Sequence, residues 1–274
     1  MNVTLWGTRG SLASPGPETV RYGGNTACVE VRDADGGLII LDAGTGIRRL
    51  GAKLQGVRRI DLFLTHLHLD HLQGLGFFAP LFRSEVDVTI WGPPSLRADL
   101  PTRLNRYLSP PLFPVRLKEL GSRIVLRPAP LEPIVVGGIE IVAEMIIHPG
   151  PTVGYRLAEG QRAIAYLPDH EPALGARRFP EAPEWTSGSR LAAGVDLLIH
   201  DAQYTEVERS SRIGWGHSSL DEAISFAVTA GASALVPFHH DPTHSDDELD
   251  TLFQSAKAGQ VELIPAAEGL TLTL

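Results

Sequence analysis

Four side chains of metal-ligand type, His66, His68, Asp70 and His71, crowd into six residues directly behind the strand-length run Ile60–Leu64. No other feature restricts the fold as tightly. In extended chain His66 and His68 lie two apart and point the same way. Asp70 and His71 begin the turn into the next element and can face the same cavity from the other side. Burying four such groups is costly unless a metal or a hydrogen-bond network satisfies them. Imidazole and carboxylate suit zinc, with manganese or iron as the other candidates. The alternative, a solvated histidine-rich turn, sits poorly against the apolar run before it.

Strand-length apolar runs recur along the chain, bounded by glycine, proline and aspartate. Strands are expected at Val3–Trp6, Ala27–Val31, Leu38–Leu41, Ile60–Leu64 and Val86–Trp91, then at Ile139–Ile147, Val153–Leu157, Ala163–Leu167, Val195–Ile199 and Ala234–Phe238. Asp33–Gly37 reads as a hairpin turn. Helices are expected at Ile47–Leu54, Ser95–Leu108, Ser219–Ala230 and Asp246–Ala256, the last capped by Ser245 or Asp246. The proline-rich stretch 93–133 reads as that second helix followed by an irregular loop. Meanders in both halves favour two helix-covered sheets over one doubly wound sheet. A single domain over 1–274 is expected, with 93–133 inserted as a lid, a dimer contact or a plain surface connection.

Composition excludes several classes. The 28 glycines and 21 prolines suit a loop-rich β or α/β fold. A net charge of −8 is a poor starting point for a non-specific polyanion binder, although a local basic groove is compatible with it. The one cysteine, Cys28, rules out an internal disulfide and any cysteine-rich zinc module, and suits a reducing compartment. The N-terminal residues lack the pattern of a signal peptide, and no apolar stretch reaches bilayer length. A soluble, cytoplasmic protein without a membrane partner is expected.

The sequence His66-x-His68-x-Asp70-His71 resembles the signature of the metallo-β-lactamase superfamily. That resemblance implies an α+β fold, a four-layer αββα sandwich with its metal site at the edge of the two sheets. Leu41-Asp42-Ala43-Gly44-Thr45-Gly46 resembles the family's first motif, Ile147-His148-Pro149 the third, Tyr166-Leu167-Pro168-Asp169 the fourth and Pro237-Phe238-His239 the fifth. It implies a first metal on His66, His68 and His148, a second on Asp70, His71 and His239, and Asp169 bridging them. Two divalent ions, zinc foremost, ~3.5–4 Å apart can share a hydroxide whose pKa falls towards ~7. Neighbouring strand residues face opposite ways, so only one of His239 and His240 is expected to ligate, and the motif favours His239.

Three further features resemble the ribonuclease Z and phosphodiesterase branch: the aspartate at the fourth motif, the pair Asp201 and His217, and the N-terminal segments carrying Arg9 and Arg21. The resemblance implies a phosphodiesterase in which the bridging hydroxide attacks phosphorus and Asp70 belongs to the catalytic centre. His217, oriented by Asp201, would protonate the leaving alkoxide. Arg9 and Arg21 are candidate phosphate contacts from glycine-rich loops. Only 21 positions separate His148 from Asp169, too few for the long basic arm that ribonuclease Z carries there. A small phosphodiester, such as a cyclic nucleotide, is therefore the expected partner, and structured RNA is not. Two other readings use the same site: a hydrolase of a lactone, thioester or lactam, and a non-catalytic metal-binding module.

Overall fold

Strands buried on both faces are nearly continuous in apolar residues, whereas half-exposed strands alternate. Both kinds occur in the computed structural model, which describes residues 1–176 and 178–274. The first sheet contains β1 (Asn2–Gly7), β2 (Cys28–Arg32), β3 (Leu38–Leu41), β4 (Arg59–Phe63), β5 (Asp87–Gly92) and β6 (Arg123–Pro128) in that spatial order. The second contains β7 (Ile134–Val136), β8 (Ile139–Met145), β9 (Val153–Glu159), β10 (Arg162–Leu167), β11 (Leu197–Asp201), β12 (Ala234–Phe238) and β13 (Glu262–Leu263). A last strand, β14 (Thr271–Thr273), returns to pair with β1. Each sheet is an antiparallel meander that continues as a parallel run: β3 to β6 in the first, β10 to β13 in the second.

Side-chain alternation sorts these strands into layers. In β3, Ile39 and Leu41 face the other sheet while Leu38 and Ile40 face outward. In β11, Leu197 and Ile199 point between the sheets and Leu198 points out. The outer face of the first sheet is covered by α1 (Ile47–Lys53) and α2 (Leu100–Leu104). The second is covered by α3 (Ser189–Ala192) and, beyond the short α4 (Glu206–Ser210), by α5 (Leu220–Ala230). Helix, sheet, sheet, helix is the αββα order expected. The chain closes with α6 (Asp246–Ser255), where Ser245 is the N-cap and accepts from the Glu248 amide. Asp246 instead accepts from the amides of Arg21 and Tyr22. No helix among the described residues is long and apolar enough to cross a membrane.

Two expectations fail in the proline-rich stretch. Of the helix expected at Ser95–Leu108, only Leu100–Leu104 forms, begun by the Asp99 cap and Pro101 in its first turn. Pro101 lies inside the expected span, where it removes a backbone donor and clashes with the preceding turn, so the helix starts at Asp99 instead of Ser95. The loop expected after it contains β6, whose Ile124 and Leu126 pack on the outer cluster while the intervening residues face away. In α5 the buried stripe is Leu220, Ala223, Ile224, Phe226 and Ala227, while Val228 is 54% exposed.

Phe63 sits where the sheets meet, stacked on Trp91 with centroids 5.4 Å apart and edge-on to Tyr155 at 5.5 Å. The Tyr155 hydroxyl donates to the Leu64 carbonyl at 2.7 Å, tying β9 to the end of β4 just before the histidine cluster. Phe63→Ala is expected to cost about 3–5 kcal/mol through lost burial and the cavity left behind. Urea denaturation measures this; a loss under about 1 kcal/mol would mean the seam repacks freely.

Candidate metal centre

Loops at the carboxyl ends of the parallel strands, where open α/β sheets place their ligands, bring the sequence-predicted residues together. Asp42 follows β3, and His66, His68, Asp70 and His71 follow β4. Asp169 follows β10, His239 follows β12, and His148 leaves the second sheet after β8. Two four-residue groups result, His66, His68, His148 and Asp169, and Asp70, His71, His239 and Asp169, each with its ligand-type atoms within 4.8 Å of one another. Asp169 belongs to both. Its Oδ2 lies 3.6 Å from His66 Nε2 and 3.7 Å from His148 Nε2, while its Oδ1 lies 2.9 Å from His71 Nε2 and 3.3 Å from His239 Nε2.

The hydrogen-bond partners fix which imidazole nitrogens face inward. A carboxylate or carbonyl oxygen can only accept, so a ring nitrogen bonded to one must carry the proton. His71 Nδ1 donates to Asp42 Oδ2 at 2.8 Å, and His148 Nδ1 donates to the Gly216 carbonyl at 2.8 Å. His239 Nδ1 donates to Gln203 Oε1 at 3.1 Å, an amide oriented by its own donation to Asp241 and Ser11. Thr65 Oγ1 gives its proton to Asp42 and so accepts from His66 Nδ1 at 3.1 Å. In the neutral rings, four Nε2 lone pairs are thereby aimed at Asp169. His68 approaches with Nδ1, 3.2 Å from His148 Nε2.

Lone pairs facing a carboxylate and each other repel unless a cation or a proton lies among them. Within this arrangement His66 Nε2 and Asp169 Oδ1 are buried with no hydrogen-bond partner. Burial would raise the Asp169 carboxyl, but His239, His71 and His66 hold it well below the usual carboxylate range. Burial would lower His71, yet Asp169, Asp70 and Asp42 push it well above the usual histidine value. The group draws in positive charge, and its nitrogen and oxygen donors fit a divalent metal. Asp70 is steadied by the Ser11 amide, which donates to its Oδ2 at 2.8 Å.

Beside this cluster, His217 Nδ1 lies 2.6 Å from Asp201 Oδ2, and its ring stacks on His239 with centroids 5.0 Å apart. Burial opposes charging, but Asp201, with Asp169 and Asp70 beyond it, raises His217 to about 9. The other Asp201 oxygen accepts from the amides of Gln203 and Ser218, so the carboxylate is held at both ends. Sequence reasoning missed Glu171, which is fully buried and accepts from the amides of Gly214 and Gly216 and from Arg209. The same Gly216 receives His148, so Glu171 anchors the loop that orients one ligand and carries His217. Gly216 has φ of 88°, and a Cβ there would come within 2.5 Å of His148 Nδ1. Gln203, Thr65, Tyr166 and Glu171 all stand beside expected site residues, but nothing in the sequence marked Glu171 as the anchor of the loop at Gly214 and Gly216.

Both arginines expected to contact phosphate are engaged with protein groups. Arg9 is fully buried, with its guanidinium donating to the carbonyls of Gly23, Asp241 and His244, and it clasps the N-terminal loop to the segment behind His239. Arg21 is ion-paired to Asp247 and Asp250 on α6. His240, as expected, turns away and meets the Ala266 carbonyl at 2.8 Å. From the stretch 93–133, Arg103, Arg106, Tyr107 and Leu112 line a cavity of about 340 Å³ together with His66 and His68.

Comparison with known proteins agrees with this geometry. A family described as the beta-lactamase superfamily domain matches residues 38–240. A ribonuclease Z of Haloarcula marismortui is 26% identical, the alignment covering 98% of this chain and 96% of that protein. A ribonuclease Z of Myxococcus xanthus is also 26% identical, over 86% and 88%. Among solved structures, the metallo-beta-lactamase fold protein YhfI of Bacillus subtilis superposes with a TM-score of 0.71 at 19% identity, covering 99% of this chain and 98% of its own. The short form of human tRNase Z gives 0.70 at 22% identity, covering 100% and 99%. The expectation that structured RNA is no partner is overturned by relatives named ribonuclease Z that align along nearly the whole chain. Net charge is a whole-chain sum and does not describe a cavity lined by Arg103 and Arg106.

The lone-pair arrangement predicts how the centre responds to losing an orienting group. Asp42→Asn cannot accept all four donations from the Thr65 amide and hydroxyl, His71 and Tyr166. Zinc affinity, measured by competition with a chromophoric chelator, is expected to fall about 10–100-fold. Unchanged affinity would show that His71 is oriented without Asp42.

Proposed function

This chain belongs to the beta-lactamase superfamily, on its ribonuclease Z-like branch, and is a metal-dependent hydrolase; from that premise we propose that it hydrolyses phosphodiesters at a dinuclear centre, with zinc as the preferred ion. His66, His68 and His148 would hold one ion, Asp70, His71 and His239 the other, and Asp169 both. Bound ions would neutralise charge on the non-bridging phosphate oxygens and furnish a hydroxide nucleophile at neutral pH.

The observation that carries the choice of phosphodiester is the Asp201–His217 pair set against the ligand cluster. An alkoxide leaves poorly unless protonated, and an imidazolium with one N–H committed to Asp201 has its Nε2 proton to give. Asp201 both aims the ring and keeps it charged. The cavity beside His66 and His68 suits a small diester such as a cyclic nucleotide, and its continuation past Arg103 and Arg106 leaves room for a longer nucleotide chain. The whole of 1–274 works as one catalytic unit on this reading, since residues from Ser11 to His239 meet at the centre.

Turnover of bis(p-nitrophenyl) phosphate by metal-loaded protein, with aryl esters, lactones and lactams as comparisons, tests the reading. Preference for a carboxylic substrate would overturn it. Asp169→Ala is expected to bind one ion fewer per chain than the wild type by elemental analysis; equal content would remove its bridging role.

The proton donor makes a separate prediction. His217→Ala should keep its metal and lose about 10²–10⁴-fold on an alkyl diester, but far less on a nitrophenyl diester whose leaving group needs no proton. Because the donor works while protonated, the alkyl rate should fall as pH rises through the His217 pKa. Bound cations offset Asp169 and Asp70 and place that limb below about 9. Asp201→Asn should move it lower still. Equal losses on both substrates with metal intact would deprive the mechanism of its acid.

A further inference from the structure

The cavity beside His66 and His68 does not end at the centre. Arg103, Arg106, Gly150 and Pro151 line it and also line a second, larger groove of about 970 Å³, to which Arg97 contributes. In a chain of net charge −8, neither lining contains a carboxylate. Asp99 lies close to Arg103 but is committed to capping α2 through the Thr102 amide. Arg97 and Arg106 are exposed and form no ion pair among the described residues. Arg103 donates through Nη2 to the Pro93 carbonyl, while its buried Nε has no partner. Arg103 and Arg106 are three apart around a continuing turn, since the Arg106 amide donates to the Arg103 carbonyl, and so share a face. Tyr107 is fixed beside them by its hydroxyl, which donates to the Gln73 carbonyl at 2.8 Å.

A guanidinium offers a planar fork of donors matched to phosphate. Here three of them run outward from the wall the metal ligands form. We propose that this groove seats a second phosphate, covalently linked to the scissile diester, and so makes the protein selective for substrates carrying an additional phosphate. The inference rests on the phosphodiesterase reading and adds a specificity site to it. That phosphate has two sources, a terminal phosphomonoester of a nucleotide or the next diester of an oligonucleotide.

Three chromogenic substrates separate the cases: the 5′-(p-nitrophenyl phosphate) ester of thymidine, the same compound with a 3′-phosphate, and its dinucleotide homologue. The wild type should favour one or both of the longer two by about tenfold in kcat/KM, as expected for a charge-assisted hydrogen bond. The double variant Arg97→Gln/Arg106→Gln should lose that advantage, while Arg58→Gln, which removes an exposed arginine at the opposite end of β4, should keep it. A gain with the 3′-phosphate identifies the monoester source; a gain with the dinucleotide alone identifies the chain. Binding of thymidine 3′,5′-bisphosphate to the metal-loaded protein, read by calorimetry, should weaken in the double variant and not in Arg58→Gln. No advantage for the added phosphate, or one that survives in the double variant, would overturn the groove. Absence of turnover on all three esters, with arginine-dependent bisphosphate binding retained, would overturn the phosphodiesterase reading and leave the groove standing.

Discussion

One buried carboxylate joins the two sheets at the point where the metal-type ligands gather. Asp42 accepts from Thr65 and His71 on the side of the first sheet and from Tyr166 on the side of the second. It has no exposure to water and sits at φ of 60°, a backbone conformation that costs energy outside glycine. A charge so placed is tolerable only because every lone pair has a donor. With the Tyr155 bond to the Leu64 carbonyl, these donations fix the distance between the sheet ends.

From that anchor the polarity of the centre follows outward. The Nδ1 protons are spent on Asp42, Thr65, Gly216 and Gln203, which leaves the inward nitrogens to meet a cation, whether a metal ion or a second ring proton. Asp169 then presents one oxygen to each half. Neither half is complete alone, since the first sheet supplies the residues after β4 and the second supplies His148, Asp169 and His239. The acid pair His217 and Asp201 belongs to the same frame, because Glu171 holds the loop that carries His217 and orients His148.

Much of this was legible in the sequence because ligands follow strands, and strands buried on both faces announce themselves by composition. His66 to His71, Asp169 and His239 each stand at the end of such a run, and His148 follows the alternating strand β8. The distinction between His239 and His240 was legible too, from the period of two. The protein partners of Arg9 and Arg21 were not legible, because a glycine-rich loop with an arginine looks alike whether the guanidinium meets phosphate or backbone carbonyls. Strand β6 was hidden by its proline-rich surroundings, although Arg123–Pro128 alternates as an edge strand should. Glu171 has no local signature at all; its partners are more than thirty residues away.

The division of ligands between the sheets has a consequence for folding. A bound ion here is a cross-link between elements distant in the chain, closing loops from His66 to His239 that a reduced chain with one cysteine closes by no covalent bond. Ions that bind only the folded form add their binding free energy to its stability, about 4 kcal/mol when free metal stands at a thousand times the dissociation constant. Metal supply would therefore govern how long the protein survives as well as whether it turns over substrate, and a chelator would loosen first the seam between Asp42 and Asp169, leaving the apolar core between the sheets to hold the rest.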